Sequence, residues 1–243
     1  MARPVTLVVD SGVDDVLALV VATRHPALAL DAVVATAGNV PLSRALANTT
    51  YVLALLGVDV PVAAGVDRRL DGSPYPVREA HGPDGLGGWG PREEPDPATF
   101  PAAGTLVATA ADTLVSLGPL TVVAQALAGL EPSRLLAHVV ASCAAPGEAN
   151  NAMDPEAAEV LARAGVPVTN DGGPGFHLPA PDQAQARAMT GSADQVAALA
   201  GRLLAHQARR GAGIGDAGVL LRLAEPGIPP EAAIARLVEL AGG

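Results

Sequence analysis

Short apolar runs rich in β-branched residues alternate with longer stretches of helical periodicity along the first two thirds of the chain. Residues 5–9 predict a strand, followed by a helix from about Asp14 that carries the apolar stretch Val16 to Ala22. A strand over 32–36, a helix over Leu42–Leu56 and a strand over 60–63 continue the alternation. Further on, 113–117, 137–141 and 166–169 read as strands, with helices near 119–128 and 154–164. Strands interleaved with helices in this way predict βαβ units and a mostly parallel sheet flanked by helices. Asp154-Pro155-Glu156 has the order expected at a helix start: Asp as N-cap, Pro at the first helical position, an acid in the first turn. Residues 182–240 keep helical periodicity with almost no strand signal, so the C-terminal third is expected to pack as helices against the sheet.

Between these elements lies residues 71–104, rich in Pro and Gly and holding His81-Gly82-Pro83-Asp84-Gly85-Leu86-Gly87-Gly88. A connection this long is either functional or disordered. Its glycines permit positive φ and close backbone approach.

The densest chemistry is in Asp10-Ser11-Gly12-Val13-Asp14-Asp15, three carboxylates in six residues between the first strand and the first helix. Asp14 and Asp15 also suit a helix N-terminus, where acids satisfy free N–H groups and the dipole. Asp10 does not fit that reading, because it ends the strand, and in open α/β sheets ligands bind at the carboxyl ends of strands. Clustered carboxylates repel unless they take up protons or find a cation. All 15 basic residues are arginine, and the nearest in sequence are Arg3 and Arg24. A divalent metal is therefore expected, and the hard oxygen donors favour Ca²⁺ or Mg²⁺ over zinc.

Length and charge narrow the alternatives. With 243 residues, 49% hydrophobic and 16% charged, the chain suits a single domain over 1–243 with a full core. A net charge of −10 argues against a polymeric nucleic acid or an anionic membrane as partner. The apolar run before Asp10 is too short for a signal peptide, and none approaches the ~20 residues of a membrane span, so a cytoplasmic protein is expected. The lone Cys143 excludes an intramolecular disulfide and a Cys-rich metal site, and it follows an apolar run that suits buried packing.

Taken together, these segments resemble the inosine-uridine nucleoside hydrolase family, whose signature Asp-x-Asp-Pro-Gly-x-Asp-Asp appears here as Val8-Val9-Asp10-Ser11-Gly12-Val13-Asp14-Asp15. The similarity continues in Ala37-Gly38-Asn39-Val40, in His81 to Gly88, in Leu117-Gly118-Pro119-Leu120-Thr121, and in Glu148-Ala149-Asn150 leading into Asp154-Pro155-Glu156. Gly215-Asp216 is a weaker match, at the family's His-Asp. The resemblance implies a Ca²⁺-dependent hydrolase of the N-glycosidic bond of a small-molecule riboside, with a nucleoside-hydrolase-like fold. It implies metal ligation by Asp10, Asp15, Asp216 and the carbonyl of Leu117, with Asp10 as general base. It also implies sugar contacts from Asp14, Asn39, Glu148 and Asn150. Family members are commonly dimers or tetramers, which leaves homo-oligomerisation open.

The departures from the family pattern fall on one side of the site. Ala141-Ser142-Cys143 replaces Met-Gly-Gly, and the loop before Glu148 is shortened. Ala149 replaces an aromatic residue, and Val122 replaces an Asn. Ser11 replaces the signature proline, a change expected to loosen the turn. Gly215 replaces the histidine that assists the departing base, which leaves His81, His177 and His206 as candidate acids, with His81 as the catalytic candidate and His177 as part of a lid. Three other readings stand beside hydrolysis: a catalytically weakened homologue that binds a riboside or a protein partner, a glycosidic-bond enzyme of specialised metabolism, and a phosphatase with strand-end aspartates. The phosphatase pattern needs an acid where Gly12 stands.

Overall fold

A computed structural model describes the chain apart from residues 77–79, 91, 105–112, 129–138, 171–177 and 243 and the side chains of Ala128 and Asn170. The strands are β1 Arg3–Val9, β2 Leu28–Ala35, β3 Val62–Ala64, β4 Leu114–Ser116, β5 Val139–Ala141 and β6 Val168–Asn170. All pair in parallel, in the order β3-β2-β1-β4-β5-β6. The chain leaves β1 toward β2 on one side and returns to β4 on the other. The order therefore reverses between β1 and β4, and the crevice at their carboxyl ends is where open α/β sheets receive ligands.

Both faces of the sheet are covered, which is why its strands read as continuous apolar runs rather than alternating ones. Leu7 and Val9 face a core shared with helix α1 (Val13–Arg24), while Val8 between them faces a second core on the opposite side. Helix α2 (Leu42–Leu56) stops at Gly57, whose φ of 68° lets its N–H reach back to the Leu53 and Ala54 carbonyls. Then come α3 (Thr121–Ala128), α4 (Ala149–Met153) and α5 (Pro155–Arg163), the second core forming under α3 and α5. The C-terminal third folds as α6 (Gln183–Thr190), α7 (Gln195–Arg210), α8 (Asp216–Ala224) and α9 (Pro230–Gly242). Leu199, Leu203, Leu220 and Leu237 from these helices join the α1 core. Arg24 closes the packing by donating to the Leu240 and Ala241 carbonyls at 2.9 and 3.1 Å.

Observed elements follow the expected ones with shifted ends. The strand expected over 137–141 is seen as Val139–Ala141, its first two residues lying outside the described ones, as does His177. Asp154 does precede Pro155 at the start of α5, but its side chain makes no capping bond. Its Oδ2 accepts from the Leu70 N–H at 2.9 Å and the Thr121 hydroxyl at 2.8 Å, so a tertiary link displaces the local cap. Among the described residues no helix is long and apolar enough to cross a membrane.

Candidate active site

The carboxylates gather where β1 ends and α1 begins. Asp10 and Asp15 are buried, 1% and 0% exposed, and the turn between them is held by Asp15 itself. Its Oδ1 accepts the Asp10 N–H at 3.1 Å and its Oδ2 the Gly12 N–H at 2.8 Å. Asp15 thus satisfies helix-entry N–H groups, as the capping reading expects, without leaving the acidic cluster. Ser11, between them, has φ 53°, a left-handed conformation closed to the proline of the family signature. Its hydroxyl donates to the Ala45 carbonyl at 3.0 Å and lies 3.0 Å from the Thr49 hydroxyl, so the turn is anchored to α2 where loosening was expected.

Asp216, at the first turn of α8, comes in from the far end of the sequence. Ligand oxygens of Asp14, Asp15 and Asp216 lie within 4.8 Å of one another. Burial pushes the Asp15 and Asp216 carboxyls well above their ordinary range, and neighbouring carboxylates add to the rise, Asp10 and Asp14 at Asp15, Asp14 and Asp15 at Asp216. Among the described residues no arginine pairs with any of the three. Three converging acids with no arginine partner among the described residues are suited to a metal ion. Two of the expected ligands, Asp15 and Asp216, meet here. The third carboxylate is Asp14, expected at the sugar.

Asp10 has a different environment. Asn39 donates to both its oxygens, from its backbone N–H at 2.9 Å to Oδ2 and from its amide at 2.8 Å to Oδ1. Burial raises the Asp10 carboxyl, with the Asp15 contact and the Asn39 N–H opposing the rise. The space around it requires glycine. A Cβ on Gly38 would lie 2.0 Å from Asp10 Oδ2, and one on Gly118 3.1 Å from Asp10 Cβ. This is a physical reason for the Gly in both Ala-Gly-Asn and Leu-Gly-Pro, one that the motifs alone do not reveal.

Asn150 bridges the ends of β4 and β5, donating from its amide to the Leu117 carbonyl at 2.6 Å and the Ser142 carbonyl at 2.9 Å. A side-chain amide has two hydrogens, so both are engaged. Glu148 Oε2 accepts from the Ala145 N–H at 2.9 Å. The expected metal carbonyl of Leu117 and the expected sugar contact of Asn150 are thus bonded to each other.

His81 sits above the cluster. Its Nδ1 accepts the Val13 N–H at 3.0 Å and stands 3.6 Å from Asp14 Oδ1. The loop that carries it is built around Asp84, which accepts the Leu86, Gly88 and Gly90 N–H groups at 3.0, 2.9 and 2.9 Å. Burial alone raises the Asp84 carboxyl, but these three donors outweigh it and hold the group below its ordinary value. Asn48 on α2 donates to the Asp84 carbonyl at 2.8 Å, and Trp89 donates to the Tyr51 hydroxyl at 2.9 Å. His206 on α7 bonds the Ala80 carbonyl at 2.9 Å, which engages this second candidate acid in holding the loop. Beside Asn39 a cavity of about 320 Å³ is lined by Val40, Pro41, Pro74 and Tyr75.

The sequence profile of the inosine-uridine preferring nucleoside hydrolase family matches residues 5–210. The chain is 35% identical over 188 residues to the pyrimidine-specific ribonucleoside hydrolase RihA of Shewanella sp. strain ANA-3, a match covering 70% of this chain and 58% of that one. The RihA of Salmonella schwarzengrund strain CVM19633 is also 35% identical, over 191 residues, 71% of this chain and 60% of that one. The chain therefore spans about three fifths of the length of these relatives. The fold is similar to that of the purine-preferring ribonucleoside hydrolase from Gardnerella vaginalis, with a TM-score of 0.76 at 24% identity over 92% of this chain and 80% of that one. The plant nucleoside hydrolase PpNRh1 gives a TM-score of 0.76 at 22% identity, over 93% and 80%.

Proposed function

The chain belongs to the inosine-uridine preferring nucleoside hydrolase family, and from that premise we propose that it hydrolyses the N-glycosidic bond of a ribonucleoside or related riboside. The observation that carries this reading is the pairing of an acidic cluster, Asp14, Asp15 and Asp216, with a separate buried carboxylate, Asp10, oriented by Asn39.

Asp15 and Asp216 would hold a Ca²⁺ ion with Asp14 as the third carboxylate, and Asp10 and the Leu117 carbonyl are the further oxygen donors this reading calls on. Bound there, the ion would lower the pKa of a coordinated water and fix sugar hydroxyls. Asp10 then serves as the base that takes the water's proton. Burial raises its carboxyl, which makes its ionised form more basic. Bond cleavage leaves positive charge on the anomeric carbon, and the surrounding carboxylates stabilise it. Asn39, Glu148 and Asn150 offer polar groups for the sugar. His81, with Nδ1 engaged by the Val13 N–H, offers Nε2 as a donor for the leaving group, and the apolar cavity beside Asn39 offers room for a base ring. The protein would act on a small molecule in the cytoplasm.

Purine, pyrimidine and nicotinamide ribosides incubated with the protein and Ca²⁺, then assayed for free ribose, test this directly. The 35% identical relatives are named for pyrimidine ribonucleosides, so uridine and cytidine come first. Gly215 removes the family's acid beside the base and favours a second reading, a homologue that binds ribosides without turning them over. Saturable binding with no ribose released would select it.

A further inference from the structure

The hydroxyl of Ser142 is a polar group next to the acidic cluster that the scheme above leaves unused. Ser142 directly follows β5, is 0% exposed, and is fixed through its backbone: its N–H donates to the Ser116 carbonyl at 2.9 Å and its carbonyl accepts from Asn150 at 2.9 Å. Its Oγ is buried and, among the described residues, meets no hydrogen-bond partner. A buried hydroxyl left unmatched is destabilising and calls for an explanation. The explanation is beside it. The hydroxyl lies beside the Asp216 carboxylate, short of hydrogen-bond geometry. The family pattern has no hydroxyl at this place, where Ser142 stands within the Ala-Ser-Cys that replaces Met-Gly-Gly.

We infer that Ser142 is a positioning residue for the metal site: its O–H donates to Asp216 when that carboxylate turns to ligate the ion, which fixes the rotamer of a ligand delivered from a separate helix. This rests on the metal-binding reading given above and adds to it a residue outside the expected ligand set. A carboxylate oxygen that accepts a fixed O–H keeps its other oxygen aimed at the metal, and such supporting bonds set affinity as well as the ligands do. The same donor satisfies the hydroxyl, so binding removes the unmatched group.

Calorimetric titration with Ca²⁺ and Tb³⁺ luminescence lifetimes in H₂O and D₂O test this on wild type, Ser142→Ala and Ser142→Thr. The expected result is Ca²⁺ affinity about tenfold weaker in Ser142→Ala, largely recovered in Ser142→Thr, with the number of Tb³⁺-bound waters unchanged. Melting temperatures in EDTA should match the wild type. Affinity of Ser142→Ala within twofold of the wild type overturns the inference. So does weaker affinity that tracks an equal loss of stability in EDTA, or a gain of one Tb³⁺-bound water, which would put the hydroxyl on the ion itself. A wild type that binds no Ca²⁺, with Asp15→Asn indistinguishable from it, sinks the parent reading and this one with it.

Discussion

The backbone N–H of Val13 donates to Nδ1 of His81 at 3.0 Å. A ring nitrogen that accepts a backbone N–H leaves the other ring nitrogen, Nε2, as the donor. Asp14 Oδ1, 3.6 Å away, is beyond hydrogen-bond reach of the same nitrogen. His81 is therefore held as a donor at Nε2, on the opposite edge of the ring from α1.

If that donor serves the departing base, its value depends on how much the leaving group needs a proton. His81→Ala should lower kcat on uridine by about 10²-fold and leave p-nitrophenyl riboside, whose phenolate departs unaided, within about threefold. Parallel kinetics on the two substrates decide it, and equal losses on both would remove the role.

Gly38→Ala should lower kcat by about 10²-fold while leaving the fold in place. The added methyl would meet Asp10 Oδ2 at 2.0 Å, so the carboxylate must move by an ångström or more. A displacement of that size in a catalytic base costs about 10²-fold in rate. Circular dichroism with a ribose-release assay separates misplacement from unfolding.

Asp84→Asn removes the charge that three backbone N–H groups converge on. We expect a loss of about 2–3 kcal/mol in urea denaturation at pH 7, since hydrogen bonds to a charged acceptor contribute more than neutral ones. The pH dependence has a definite sign. The folded carboxyl lies below its unfolded value, so its contribution is present above that unfolded value and disappears as pH falls through the folded one. The gap between wild type and variant should therefore close toward acid pH, and a gap that widens there contradicts the account.

Asp216→Asn replaces one of three converging buried acids by a neutral group of the same shape. In EDTA at neutral pH the variant should melt above the wild type, because repulsion within the cluster is relieved. The order should reverse in Ca²⁺, where a ligand at 100 times its Kd adds about 2.7 kcal/mol to the wild type alone. Differential scanning fluorimetry in the two buffers reads both effects.

Much of the fold is legible in the sequence because the sheet is buried on both faces. Leu7, Val8 and Val9 all had to be apolar whichever way they point, so the strand shows as an unbroken run. The same holds for the acidic turn, whose three aspartates are adjacent in sequence. Asp216 is different. It lies some 200 residues from Asp15, and only the resemblance to a family singles it out. Ser142 and the demand for glycine at positions 38 and 118 carry no sequence signal of their own, because each is defined by a side chain from another segment that reaches it in space. Asp154 has the signal of an N-cap, but Thr121 and Leu70 compete for its carboxylate and take it, a contest that local spacing does not register.

The double engagement of Asn150 makes two events in this protein interdependent. One amide cannot lend its hydrogens to the Leu117 and Ser142 carbonyls and to a sugar at once. Whatever draws Asn150 away uncovers the Leu117 oxygen, and whatever claims that oxygen sets Asn150 loose. Occupancy at either place then raises affinity at the other by an equal factor, a reciprocity that thermodynamics requires once a single latch serves both.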